Sequence, residues 1–279
     1  MKSMITKKIV LVLATALVFT HCTEKVSEIE STKITKADEV LVDSMATEET
    51  VALLTNLRSF AVDKVLFGHQ ETTAYGVGWK NDGAENRSDV KKVCGDFPAV
   101  YGWDIGKISQ VTNNDGVPFD QMKALIKDAY ERGGINTISF HQANPVTETH
   151  SWDTTSAVPY ILPGGHSHTK YLERLDLVAE FMHDLKADDG SLIPVIFRPY
   201  HEHNGDWFWW GKGPASEKDF IALWQFTVNY LKNDKNVHNL LYAFSPDRSR
   251  VKDPANPIEY LYGYPGDDYV DIIGVDNYF

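Results

Sequence analysis

Apolar and polar positions follow two rhythms along this chain. Short apolar runs with β-branched and aromatic residues fall at 64–70, 99–104, 135–141, 192–202, 240–247 and 271–278, and each reads as a buried strand. Between them, apolar residues recur at helical spacing. Met122, Leu125, Ile126, Ala129 and Tyr130 form one stripe, and Tyr171, Leu175, Val178, Met182 and Leu185 a second. Phe220, Leu223, Trp224 and Thr227 form a third, in a helix entered at Ser216 with Asp219 in capping-box position. An earlier helix is expected to start near Thr47. Glu48 and Glu49 suit its positive end, and Val51, Leu54, Leu57 and Phe60 mark its apolar face.

Strands alternating with helices imply a parallel sheet. Each strand ends in polar or aromatic groups: Gly68-His69-Gln70, Trp103-Asp104, His141-Gln142, His201-Glu202, Ser245-Pro246-Asp247 and Asp276-Asn277-Tyr278. That pattern fits an α/β fold of the (β/α)8 TIM-barrel type, which carries its chemistry at the C-terminal strand ends. A dinucleotide-binding sheet fits less well, because no Gly-rich turn follows the first strand. The strands number six at roughly 36 residues per unit, so two more units, roughly 60–90 residues, are expected beyond Phe279. The chain is therefore expected to hold six of eight βα units.

Composition narrows the partners. A formal net charge of −12 disfavours nucleic acid and anionic lipid as binding surfaces, and suits a small molecule or neutral polymer. Aromatic content of 12% with seven Trp is compatible with sugar stacking, although large cores use Trp too. The amino terminus reads as a targeting segment. Lys2, Lys7 and Lys8 precede an apolar run from Ile9 to Phe19 that is too short to span a bilayer. Leu17-Val18-Phe19-Thr20-His21-Cys22 resembles a lipoprotein cleavage site, although His21 stands where a small residue is usual. The expected organisation is a signal peptide at 1–22 with Cys22 as lipid anchor, a polar tether at 23–45, and one domain over 46–279. Export to the periplasm or cell surface follows, with ordinary secretion as the alternative. Cys94 is then unpaired, so no disulfide framework is available.

The densest chemistry lies in Arg198-Pro199-Tyr200-His201-Glu202-His203-Asn204-Gly205-Asp206-Trp207-Phe208-Trp209-Trp210-Gly211. Glu202 sits after a buried strand and beside aromatic residues, as a proton donor in glycoside hydrolysis would. The competing reading pairs it with Arg198 in a barrel salt bridge. His201 and His203 form an H-x-H pair, as do His166 and His168, which keeps a metal-dependent barrel hydrolase open. Orienting or sugar-bonding histidines are favoured over it, because no strand-end Cys or acidic pair completes a ligand set. Trp207, Phe208, Trp209 and Trp210 cannot all enter a core from one loop, so at least one is expected to face the cleft. Trp152 is a further candidate sugar platform.

That stretch resembles the signature of glycoside hydrolase family 26, the β-mannanases, written R-P-x-H-E-x-x-G-x-W-F-W-W-G. The likeness extends through Phe67-Gly68-His69-Gln70, Tyr101-Gly102-Trp103-Asp104, Ser139-Phe140-His141, Phe244-Ser245-Pro246-Asp247 and Gly274-Val275-Asp276-Asn277-Tyr278. The resemblance implies a (β/α)8 barrel that cleaves β-1,4-mannosidic bonds of mannan with retention, without metal or other cofactor. By position, Glu202 resembles the acid/base. His201 resembles the adjacent residue that helps position the catalytic groups, and Trp207 the aromatic residue near the cleavage point. His141 resembles a histidine on the sugar, and Tyr278 the tyrosine close to the nucleophile. Asp104 and Trp152 are further substrate-binding candidates. The family nucleophile is a Glu at the end of strand seven. Glu259 fits neither that place nor its motif, so the nucleophile is expected beyond Phe279 and the 279-residue chain alone is expected to be inactive. A non-catalytic mannan-binding surface lipoprotein, or a hydrolase for another β-glycan such as xylan, are the remaining alternatives.

Overall fold

The computed structural model describes residues 41–80, 87–253 and 255–278. The expected signal peptide and Cys22 anchor, and most of the expected tether, lie outside the described residues.

Helix α1 (Glu48–Phe60) begins where the pattern places it, with the Thr47 side chain accepting from the Thr50 amide. Strand β1 (Gly68–Gln70) follows, then a small antiparallel hairpin of β2 (Tyr75–Gly76) and β3 (Trp79–Lys80), which the hydrophobic pattern does not signal. The remaining order is α2 (Asp89–Cys94), β4 (Val100–Asp104), α3 (Phe119–Glu131), β5 (Ile135–Ser139), α4 (Val158–Ile161), α5 (His168–Asp184), β6 (Val195–Arg198) and α6 (Glu217–Asn229). After α6 come β7 (Leu240–Phe244), α7 (Pro257–Tyr260) and β8 (Ile272–Ile273). Ser216 caps α6, its hydroxyl accepting from the Asp219 amide. The same hydroxyl donates to Asp219 Oδ2 at 2.7 Å, so the Asp219 carboxylate meets the hydroxyl of Ser216 where a capping box would reach its amide. Tyr230–Asp234 continues α6 as a wider π-helical turn.

Six strands pair in parallel in the order β1-β4-β5-β6-β7-β8, each beside the one before it in the chain. A doubly wound sheet would reverse direction at a switch point. Here the order never reverses, which is the winding of a barrel.

Register separates the two faces of the sheet. Trp103, Ile138, Phe197 and Tyr242 lie on one rung, and all four are fully buried against the helices. They share a core with Met122 and Ile126 of α3, Leu175 and Met182 of α5, and Leu223 and Trp224 of α6. Truncating one such Leu to Ala costs about 2–5 kcal/mol. The opposite side chains, Ile135, Ile196, Leu241 and Ile272, meet Leu53 and Leu54 of α1. One buried polar chain ties this packing together. Trp103 Nε1 donates to Asn136 Oδ1 at 2.8 Å, and Asn136 Nδ2 donates to the Ile126 carbonyl at 3.2 Å.

Two expectations change. The strands are shorter than the apolar runs. In β6, Pro199 has no N–H to donate, so pairing stops at Arg198. In the last run only Ile272 and Ile273 are strand, and Asp276 makes an isolated bridge to Asp247. Residues 42 and 43, expected within the tether, also pack on the domain. The Val42 amide donates to Asp271 Oδ1 at 2.8 Å, and its carbonyl accepts from Lys232 Nζ at 3.0 Å. Asp43, 4% exposed, pairs with His238 Nδ1 at 2.7 Å and accepts from the Met45 amide at 2.8 Å. Partners so distant in sequence leave no trace in local periodicity.

Replacing Asp43 strips this segment of its buried acceptor. Asp43→Ala is expected to lower unfolding free energy by about 1.5–3 kcal/mol, read as a lower urea midpoint at unchanged slope.

Candidate active site

The chain leaving β6 turns sharply inward. Tyr200 is fully buried, its hydroxyl shared with those of Tyr171 and Thr227 and its ring edge-on to Trp209, Trp210 and Phe220. Phe208, Trp209 and Trp210 are buried as well. Trp210 stacks on Phe208 and donates Nε1–H to the His201 carbonyl at 3.0 Å, while Trp209 donates to the Gln142 carbonyl at 3.1 Å. Three of the four aromatic residues are therefore core. Trp207 alone stays partly exposed, and its Nε1–H donates to Glu202 Oε2 at 2.8 Å. Gly205 allows this, since a Cβ there would lie 2.3 Å from the Trp207 ring. The Arg250 guanidinium covers that ring at 5.1 Å and is held by Asp206 at 2.8 Å.

Glu202 is 7% exposed and has φ 55°, a left-handed conformation that costs a non-glycine residue energy. Its amide donates to the Ser245 carbonyl at 2.8 Å. It does not pair with Arg198. Arg198 Nη1 bonds both oxygens of Asp276, at 2.9 and 2.7 Å, which removes the barrel salt bridge as an account of Glu202. Burial is the largest influence on Asp276 and raises its carboxyl, while Arg198 and Ser245 pull it back. Tyr278 is exposed on the far side. Partial burial, then its hydrogen bond to Glu202 and that carboxylate's charge, hold the phenol above its ordinary range.

The ends of β6, β7 and β8 are laced together. Ser245 Oγ donates to Asp276 Oδ2 at 2.7 Å. Asn204 Nδ2 donates to the Asp247 carbonyl at 2.9 Å, and the Asp247 amide returns a bond to Asn204 Oδ1 at 2.7 Å.

A second chain runs the other way along the sheet. Asp104, at the end of β4, bonds His141 Nδ1 at 2.8 Å, and His141 Nε2 lies 3.0 Å from His201 Nε2. Burial alone would raise the Asp104 carboxyl, but bonds from His141, Ser139 and the Gly106 amide leave it below the ordinary range. Desolvation, then the charges of Arg198, His141 and His203, push His201 well down. Trp152, 54% exposed, stacks on His141 at 5.6 Å, so the structure brings it to the same place. Asp104 itself is only 3% exposed and stands behind His141 rather than in the cleft. His203 points away from His201. Its Nε2 donates to the Tyr262 carbonyl at 2.7 Å, its ring stacks on Phe220, and desolvation lowers it to about 4. His168 Nδ1 is likewise taken by the Ile161 carbonyl at 2.7 Å. Glu259 accepts from the Lys252 and Asp253 amides at 2.5 and 3.2 Å, a loop-closing role.

The sequence profile of glycosyl hydrolase family 26 matches residues 42–279. The chain belongs to that family. It is 37% identical over 285 residues to a mannan endo-1,4-beta-mannosidase of Bifidobacterium adolescentis, covering all of this chain and 28% of the relative. A Bacillus subtilis protein of the same name is 33% identical, with 70% of this chain and 54% of the relative aligned. Among solved structures, a family 26 beta-mannanase from Bacteroides ovatus superposes with a TM-score of 0.79 at 45% identity, over 84% of this chain and 67% of that one. An endo-beta-1,4-mannanase from Cellulomonas fimi gives 0.79 at 40%, over 86% and 54%. The chain thus spans about half or less of these two curated relatives.

This family 26 domain carries a further strand-end carboxyl that its sequence pattern did not single out. Glu71 follows β1 directly, is fully buried, and has φ 46°. Asn113 Nδ2 donates to its Oε1 at 2.5 Å. Burial, then the Asp115 charge, raise it to about 7 against an opposing bond from Asn113, with Asp104 and Tyr75 also facing it. The signal available was its place immediately after Gly68-His69-Gln70. Because the folded state holds this proton more tightly, the stability it contributes is complete below about pH 4.5 and lost as pH rises through about 7. Glu71→Gln is expected to remove that loss. Between about pH 5 and about pH 8, urea unfolding of the wild type should lose up to about 3 kcal/mol relative to the variant.

Proposed function

We propose that this domain hydrolyses β-1,4-mannosidic bonds in mannan-type polysaccharides by a retaining double displacement, with Glu202 as general acid and then general base. The observation that carries this reading is the setting of Glu202. It is a nearly buried carboxyl at a strand end, free of Arg198 and oriented by Trp207 Nε1–H. The names of the aligned relatives support the substrate.

In the first step Glu202 gives its proton to the glycosidic oxygen as the bond from the anomeric carbon to that oxygen breaks. A second carboxylate attacks the anomeric carbon from the opposite face and forms a glycosyl ester. Water then attacks the same carbon, passing its proton to Glu202 as the ester bond breaks. The two carboxyl groups must stand about 5–5.5 Å apart. Asp276 is tied to Arg198 and Ser245 and is unsuited to attack. The family resemblance assigns that role to a Glu ending a seventh strand, which would follow Phe279. Trp207 and Trp152 offer aromatic faces for sugar rings, with His141 stacked on Trp152 and Tyr278 bonded to Glu202. Export with lipid attachment at Cys22 completes the reading, supported by the basic start and the apolar run before it.

In the protein carrying this domain, Glu202→Gln is expected to lower kcat on mannan by about 10²–10⁴-fold. Affinity for manno-oligosaccharides should change little, and mannosides with acidic leaving groups should suffer least in the first step. Mannan binding without turnover in the unmutated protein would overturn the hydrolytic reading in favour of a binding one. Separately, mass spectrometry of the exported protein should find Cys22 acylated. Cys22→Ser should move it from the membrane to the soluble fraction, and an unmodified Cys22 would refute the anchor.

A further inference from the structure

Asp104 is 3% exposed, and its carboxylate gathers four donors. The Gly106 amide reaches Oδ1 at 2.8 Å. Ser139 Oγ at 2.8 Å, the His141 amide at 3.1 Å and His141 Nδ1 at 2.8 Å all reach Oδ2. An amide in its place would turn an NH2 group against a donor in either orientation, so only a carboxylate satisfies the set. Only an acceptor can stand there, which puts the hydrogen of neutral His141 on Nδ1 and leaves its Nε2 bare.

The consequence passes to the next strand. His141 Nε2 and His201 Nε2 are 3.0 Å apart, and one hydrogen must lie between them. With His141 Nε2 bare, it belongs to His201, whose own Nδ1 is then bare. That agrees with the surroundings, because His201 Nδ1 is buried without a hydrogen-bond partner among the described residues. A bare nitrogen in that place is cheaper than an N–H with nowhere to donate. A carboxylate ending β4 thus sets the proton arrangement in the turn after β6, one residue before Glu202.

We propose that Asp104 is a positioning residue that locks the tautomers of His141 and His201 and thereby fixes the His141 ring that Trp152 stacks on. The functional importance of the lock rests on Glu202 being the acid/base, whereas the lock itself does not.

Long-range proton–nitrogen NMR on ¹⁵N-labelled protein reads both rings directly, with His141→Gln and His201→Gln used to assign the signals. Expected in the wild type are a protonated Nδ1 and bare Nε2 on His141, and the reverse on His201. Asp104→Asn should abolish this pattern on at least His141. Ser139→Ala removes one donor but keeps the carboxylate, and should leave the pattern intact. A wild-type His141 protonated on Nε2 alone would overturn the proposal. So would an Asp104→Asn spectrum unchanged at both rings, or a Ser139→Ala spectrum that changes. If Asp104→Asn does not fold, the wild-type and Ser139→Ala spectra still decide. Tautomers are read without turnover, so a failure of mannan hydrolysis would count against Glu202 and not against the lock.

Discussion

Where a parallel sheet runs out, its last amides have no further strand to receive them, and something negative or carbonyl-bearing must accept. In this chain the Asp104 carboxylate takes the Gly106 and His141 amides, and a second carboxylate gathers side chains at the neighbouring ends. Asp104 collects donors from the ends of β4 and β5, and Asp276 collects Arg198 and Ser245 from the ends of β6 and β7. The same anions that satisfy strand ends also fix the relative position of the loops, so stability and site geometry share one set of bonds. Glu202 lies between these two systems with an indole N–H and a phenol as its own side-chain partners. That separation matters chemically. A carboxyl paired with a guanidinium would hold its charge too firmly to donate a proton, and Arg198 is already occupied.

The aromatic stretch divides its labour by depth. Phe208, Trp209 and Trp210 bury their rings, and the two indoles donate to backbone carbonyls, Trp209 to Gln142 of the neighbouring loop and Trp210 to His201 of its own. They act as a foundation on which Trp207 can remain at the surface. The Arg250 cover and the glycine beneath it set the ring's angle. A loop with so many large side chains is therefore rigid at its base and accessible at one ring.

Much of this was legible beforehand because it depends on period and local chemistry. The stripe from Tyr171 to Leu185 faces the core throughout, and the caps at Thr47 and Ser216 form as written. Six runs became six neighbouring strands because burial demands apolar continuity. What could not be read depends on side chains meeting across distance. Nothing near Asp43 announces His238, and nothing near Arg198 announces Asp276 in preference to Glu202. His203, beside Glu202 in sequence, turns the other way to Tyr262 because the chain reverses at the left-handed Glu202. Asp104 and His141 were singled out individually, but their coupling needed the register of β4 against β5. Glu71 carries no such signal, because one carboxyl past a strand end looks like any surface acid until its burial is known.

The left-handed backbone at Glu202 has an implication for how such a domain changes over time. A glycine there would sit without strain, regaining about 1–2 kcal/mol of backbone energy, and would remove the carboxyl proposed as the acid. Selection for robustness alone therefore pushes against the residue proposed as acid/base. Variants chosen only for resistance to heat or denaturant should drift toward glycine at this position, and on the proposed role of Glu202 turnover is what holds the strained carboxyl in place.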